Sequence, residues 1–83
     1  MTEEELVQIL YAKYGKTVLN RKEVAKEIGM SLSKINKLFG GKNALSKKVI
    51  LKRKILPIWH ISGKQKKWTL VNVAKWILNT EEI

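Results

Sequence analysis

No cysteine and no aspartate occur among the 83 residues, and histidine, proline and phenylalanine each occur once. Without cysteine there is no disulfide framework and no thiolate metal site, which suits a reducing cytoplasm. Glutamate is scarce and confined: the seven acids are Glu3, Glu4, Glu5, Glu23, Glu27, Glu81 and Glu82. From Ile28 to Thr80 there is none, while twelve lysines and arginines fall in that stretch. The chain also has no apolar run approaching the roughly 20 residues that cross a bilayer. Its acidic start (Glu3, Glu4, Glu5) is the opposite of a secretory signal. No paired carboxylates, nucleophile–base set or phosphate loop can be found. Glu23 and Glu27 lie one helical turn apart, but read as a cap and a solvent-facing residue. The expectation is therefore a non-enzyme with no cofactor and no metal, in the cytoplasm.

What is present is positive charge. The formal net charge of +10 supports long-range attraction to a polyanion. A merely soluble basic surface is the bland reading, but small domains normally mix both signs. The length bounds a single small domain over residues 1–83 with a modest core. Trp59, Trp68 and Trp76, all in the last third, are the large residues available to fill it.

The punctuation of the chain predicts its elements. Thr2 with Glu5 forms a capping box that opens a first helix (residues 1–15, an accessory segment), and Gly15 closes it. Leu6, Ile9, Leu10, Lys13 and Tyr14 make its stripe, with Val7 and Tyr11 at the margin; the stripe packs on the domain or serves as a dimer contact. A second capping box, Asn20 with Glu23, opens a helix from Arg21 to Ile28 with Val24, Ala25 and Ile28 inward. Gly29 supplies a positive-φ turn and Ser31 caps the next helix, which runs to Phe39 with Leu32, Ile35, Leu38 and Phe39 as its apolar face. The glycine pair Gly40–Gly41 stops it. Between Lys42 and Lys54, Val49, Leu51 and Ile55 alternate with Ile50, Lys52 and Lys54 as in a strand, whereas Leu45, Val49, Lys52 and Leu56 have helical spacing. The β-branched pair Val49–Ile50 favours the strand. Residues 57–69 read as a hairpin whose two-residue loop, Gly63–Lys64, suits a type II′ turn. That register sets Trp59 opposite Trp68 and Ile61 opposite Lys66, with Trp59, Ile61 and Trp68 on the face that covers the helices. Thr69 caps a last helix over 70–80, with Leu70, Val73, Ala74 and Ile77 facing the core, Trp76 beside them, and Asn79 and Thr80 at its end.

Residues 20–40 carry the pattern of a helix-turn-helix. Ala25 is small where the two helices nearly touch, Gly29 makes the turn four residues on, and Ile35 and Leu38 hold the second helix down; a generic helical hairpin would use the same alanine and glycine. In this pattern the second helix enters the major groove. Its outward residues are Ser31, Ser33, Lys34, Asn36 and Lys37. Any one alone reads equally as a solvated side chain; their shared face singles them out. Asn36 can pair with adenine in two places, Lys37 can reach guanine or phosphate, and Ser31 and Ser33 suit phosphate at a helix N-terminus. The hairpin tip offers Lys64, Gln65 and Lys66 as a wing lying along a neighbouring groove, or as an ordinary surface turn. Lys42, Lys47, Lys48, Lys52, Arg53 and Lys54 are candidate phosphate contacts.

The stretch RKEVAKEIGMSLSKINKL resembles the opening of the excisionase and MerR-like winged-helix family, and LPIWHISGKQKKWTLVNVAKWIL resembles its wing and closing helix. Phage regulators of the AlpA type share this layout. The resemblance covers about half the chain. It implies a compact domain that reads double-stranded DNA with the second helix and the wing. Members either direct an integrase towards excision, by bending DNA and contacting the integrase, or regulate transcription. Two departures stand out: Gly41 to Ile55 intervenes before the wing, and the helix from Thr2 to Tyr14 is extra.

The expected fold is thus α+β, mainly α: a winged helix-turn-helix with an extra N-terminal helix, a β-hairpin wing and a C-terminal helix. The expected partners are double-stranded DNA and an integrase, other recombinase or RNA polymerase, with weak homodimerisation or cooperative assembly on DNA, and no membrane. Two rival classes stay open. RNA or single-stranded nucleic acid fits the charge equally well, and gains if a tryptophan is exposed on the basic face; a helical protein-interaction adaptor would use the stripe of the first helix.

Overall fold

The computed structural model describes residues 1–42 and 44–81; Glu82 lies outside them, and of Thr80 and Glu81 the backbone alone is described. The elements are α1 (Glu3–Tyr14), β1 (Val18–Leu19), α2 (Arg21–Ile28), α3 (Leu32–Phe39), α4 (Lys47–Lys52), β2 (His60–Ser62), β3 (Gln65–Thr69) and α5 (Leu70–Glu81). The protein is a small α+β fold, mainly helical, with one three-stranded antiparallel sheet in the order β1-β3-β2. No helix among the described residues is long and apolar enough to cross a membrane.

Helix starts are fixed by side chains that satisfy otherwise orphaned amide groups. Thr2 Oγ1 accepts from the Glu5 N–H at 3.1 Å while Glu5 Oε1 accepts from the Thr2 N–H at 3.1 Å. Asn20 and Glu23 repeat the exchange at 2.8 and 3.0 Å. Gly29, at φ 72°, ends α2 in the left-handed region that a side chain disfavours. Ser31 then caps α3 by accepting from the Lys34 N–H at 3.1 Å. Ala25 is buried, and α2 packs against α3.

The hairpin has the anticipated loop: Ser62 pairs with Gln65 and Ile61 with Lys66. Gly63 has φ 65° and Lys64 is not among the positive-φ residues, the combination a type II′ turn needs. Two details differ. The first strand begins at His60, so Trp59 precedes the ladder, and Ile61 is exposed rather than covering the helices. With Trp59 and Trp68 already filling the space beneath the sheet, their rings 6.2 Å apart, Ile61 lies beyond the core. β1 was not anticipated; its Val18 and Leu19 pair with Thr69 and Trp68.

The segment after the glycine pair is a helix, not a strand. Ser46 caps α4 by accepting from the Val49 N–H at 3.3 Å, and Ile50 is the residue buried in the core. A single turn and a half buries one side chain, and that burial outweighs the β-branched preference of Val49–Ile50. Three faces also shift. In α1 Leu10 is buried with Leu6, Val7 and Tyr14 packed beside it, while Ile9 is exposed, because α1 turns towards α5. In α3 Leu32 is exposed and Ile35 buried. Trp76 is half-buried, its indole N–H donating to the Lys54 carbonyl at 3.0 Å.

Glu27 is not solvent-facing. Its carboxylate accepts from Lys13 Nζ and from the Tyr14 hydroxyl, both at 2.9 Å, and so ties α1 to α2. Burial pushes the Tyr14 phenol up to about 12, assisted by the bond to Glu27. A raised folded-state value means stability that is fully present below the ordinary 10.0 and lost as pH rises towards 12. Tyr14→Phe should therefore lose less stability than the parent across that window, read from urea midpoints at each pH. A second test concerns Trp68, fully buried with its indole N–H donating to the Pro57 carbonyl at 3.0 Å. Trp68→Ala should cost about 3–5 kcal/mol, a large part of a small domain's stability, in chemical denaturation.

Candidate nucleic-acid interface

The interface is built outward from the α2 start. Asn20, as the cap, places Arg21 at the first helical position. From there Arg21 Nη1 donates to Asn36 Oδ1 on α3 at 2.6 Å, and the guanidinium carbon lies 5.0 Å from the centre of the Phe39 ring. Phe39 also receives Lys66 from β3, whose Nζ is 4.4 Å from the ring centre. Its ring meets Trp59 edge-on at 5.1 Å and 71°. Cations over an aromatic face are attracted by its quadrupole, so Phe39 fixes one charge from α2 and one from the hairpin.

Between these elements lies an open groove of about 370 Å³. Arg21 and Lys22 of α2, Leu32 and Asn36 of α3, and Lys64, Gln65 and Lys66 of the hairpin line it. A second groove, of about 430 Å³, is lined by Lys34, Lys37, Leu38, Gly40, Gly41 and Lys42. The residues anticipated for base and phosphate contacts therefore divide. Asn36 shares one groove with Lys64, Gln65 and Lys66; Lys34 and Lys37 share the other with Lys42. Ser31 and Ser33 are exposed at the start of α3, the Ser31 hydroxyl oxygen already accepting the capping bond.

The 47–54 cations go elsewhere. Lys47 Nζ donates to the Trp59 carbonyl at 3.3 Å and sits 5.2 Å from the centre of its ring, so it braces the core edge. Lys48, Lys52 and Arg53 are exposed on or beside α4. Lys54 borders a third groove with Pro57, Asn72, Lys75 and Trp76. No residue of 47–54 lines either groove beside α3.

Acidic groups close to these elements are paired. Glu23 Oε1 accepts from the Asn20 N–H at 3.0 Å and from Lys16 Nζ at 2.8 Å. Burial raises its carboxyl, but the Asn20 N–H, Lys16 and the charge of Lys67 outweigh that and hold it below the usual carboxylate range. His60 is exposed on β2 opposite Lys67.

Arg21 is the site residue that sequence reasoning passed over. The signal was its type: only Arg21 and Arg53 are arginines among seventeen basic residues. Of the two, Arg21 is the one whose planar fork meets a side-chain acceptor. Comparisons with protein-family models, curated proteins and solved structures return no match.

The pairing of Glu23 has a consequence for acid stability. A depressed folded-state value gives stability present above the ordinary 4.5 and lost as pH falls through the folded value. Glu23→Gln should flatten the loss of urea midpoint below pH 4.5 relative to the parent.

Proposed function

We propose that this chain is a double-stranded DNA-binding protein of winged helix-turn-helix type, with α2 and α3 as the helix pair and β2–β3 as the wing. The observation that carries the proposal is the convergence of Arg21, Asn36, Lys64 and Lys66 on one groove between α3 and the hairpin tip. A helix beside a hairpin, both cationic and joined by one open groove, matches a duplex that offers a major groove flanked by phosphate. The second groove, with Lys34, Lys37 and Lys42, supplies backbone contacts on the other side of α3. With Glu23 and Glu27 each held by a lysine, and no acid from Ile28 to Thr80, repulsion from phosphate is small on this side.

The resemblance to excisionase-like and MerR-like proteins supports a role in a phage or other mobile element, as a recombination directionality factor or a transcription regulator. Single-stranded nucleic acid is less well suited, because Trp59 and Trp68 are 5 % and 0 % exposed and the half-buried Phe39 ring already carries Arg21 and Lys66. An apolar groove of about 530 Å³, lined by Val7, Tyr11, Val18, Leu70 and Val71 among others, shares no residue with the cationic grooves. It is the natural place for an integrase or polymerase contact.

Fluorescence anisotropy with a labelled duplex and the matching single strand tests the reading. The duplex should bind more tightly, and its log K should fall with log salt at about −0.9 per phosphate neutralised. Asn36→Ala should cost about 1–3 kcal/mol and relax preference at one base pair, while Lys64→Ala should weaken all duplexes about equally. Salt-insensitive binding, or a single strand that outcompetes the duplex, would sink the proposal.

A further inference from the structure

The chemistry of the α3–hairpin groove is decided by one hydrogen bond. Taken alone, Asn36 suits adenine, because a carboxamide offers an acceptor and a donor side by side. Arginine has N–H donors and no acceptor, so the carboxamide oxygen must be the atom facing Arg21, at 2.6 Å. That oxygen keeps a second lone pair, but an adenine amino group reaching for it would meet the guanidinium held against the same atom. What Asn36 turns outward is its Nδ2 amino group. Arg21, oriented by Asn36 and by the Phe39 ring, retains further N–H groups, and Lys64 and Lys66 border the same groove.

The α2–α3 wall of the groove therefore presents donors, and the hairpin adds Lys64 and Lys66 beside the Gln65 carboxamide. In the major groove guanine shows two acceptors, O6 and N7. Adenine sets a donor beside its N7, cytosine shows a donor, and thymine shows one acceptor beside a methyl group. We infer that Arg21 and Asn36 act together to select guanine, making Arg21 a specificity-determining residue. The inference rests on the duplex-binding reading above and narrows it to a base.

The test uses the full chain and a duplex pool randomised over about 20 base pairs, long enough to span one to two helical turns, with sequencing of the retained fraction. The parent should enrich at least one guanine position. Arg21→Ala should abolish that enrichment, with adenine gaining there as the carboxamide oxygen is released. Arg21→Lys keeps the charge without the fork and should lose guanine preference while retaining most overall affinity, which guards against a folding defect in the alanine variant. Placing 7-deazaguanine at the enriched position should weaken the parent by roughly fivefold to a hundredfold and leave Arg21→Ala nearly unchanged. Adenine enrichment by the parent, or a uniform loss in Arg21→Ala with the guanine position intact, would overturn the inference while leaving duplex binding standing; the second outcome would make Arg21 a phosphate contact. Failure of the parent to retain any duplex at low salt would remove both.

Discussion

Trp68 has one polar atom, and the placement of that atom organises the molecule. Its indole is fully buried, so the N–H must find an acceptor inside the protein, and the Pro57 carbonyl supplies it. The bond draws the segment before β2 under the sheet, which brings the Trp59 ring within 6.2 Å of Trp68 and the Phe39 ring within 6.4 Å. On the other side Leu19 pairs with Trp68 across the β1–β3 ladder. Trp68 thus joins β1, through the backbone ladder, and the segment before β2, through its indole, to the end of α3. The α3–hairpin groove is tied to this arrangement, since Phe39 carries Arg21 and Lys66 on the same ring that touches the tryptophans.

The electrostatic layout follows from how α1 is attached. Lys13 and Lys16 reach Glu27 and Glu23 on α2, and Tyr14 completes the contact. Lys13 and Tyr14 tie the end of α1 to Glu27, Lys16 in the turn after it holds Glu23, and the two acids of α2 are neutralised. The net charge of +10 is thereby left to act through the lysines of α3, the hairpin and the loop after α3. Ion pairs whose lysine stays half in solvent add little stability individually. Here the larger effect is on the field: a carboxylate that already holds an ammonium group repels phosphate weakly.

Much of the scaffold was legible in the residues because it is specified locally. Thr2 and Asn20 mark helix starts through bonds to groups three residues away, Gly29 marks the turn through its own φ, and Gly63 fixes the hairpin register. The misreadings arose where distant partners decide. Val49–Ile50 prefers a strand by propensity, but the need to bury Ile50 under a Ser46 cap made it a helix. β1 has only two residues, too few for any periodicity, and exists because Trp68 and Thr69 present an edge to it. The Arg21–Asn36 bond spans fifteen residues and depends on the angle between α2 and α3, so no spacing rule could announce it. The candidate site was therefore half visible: Asn36, Lys64, Gln65 and Lys66 do converge, whereas Lys47 is held by Trp59 and Lys54 lies on another groove.

The two margins of the sheet are β1 and β2, with two and three residues. Neither offers enough unpaired backbone to recruit a strand from another molecule, and β2 ends beside a lysine-bearing tip. On the proposed reading, copies of a cationic protein would lie side by side along a polyanion, where margins this short give a neighbour little backbone to pair with.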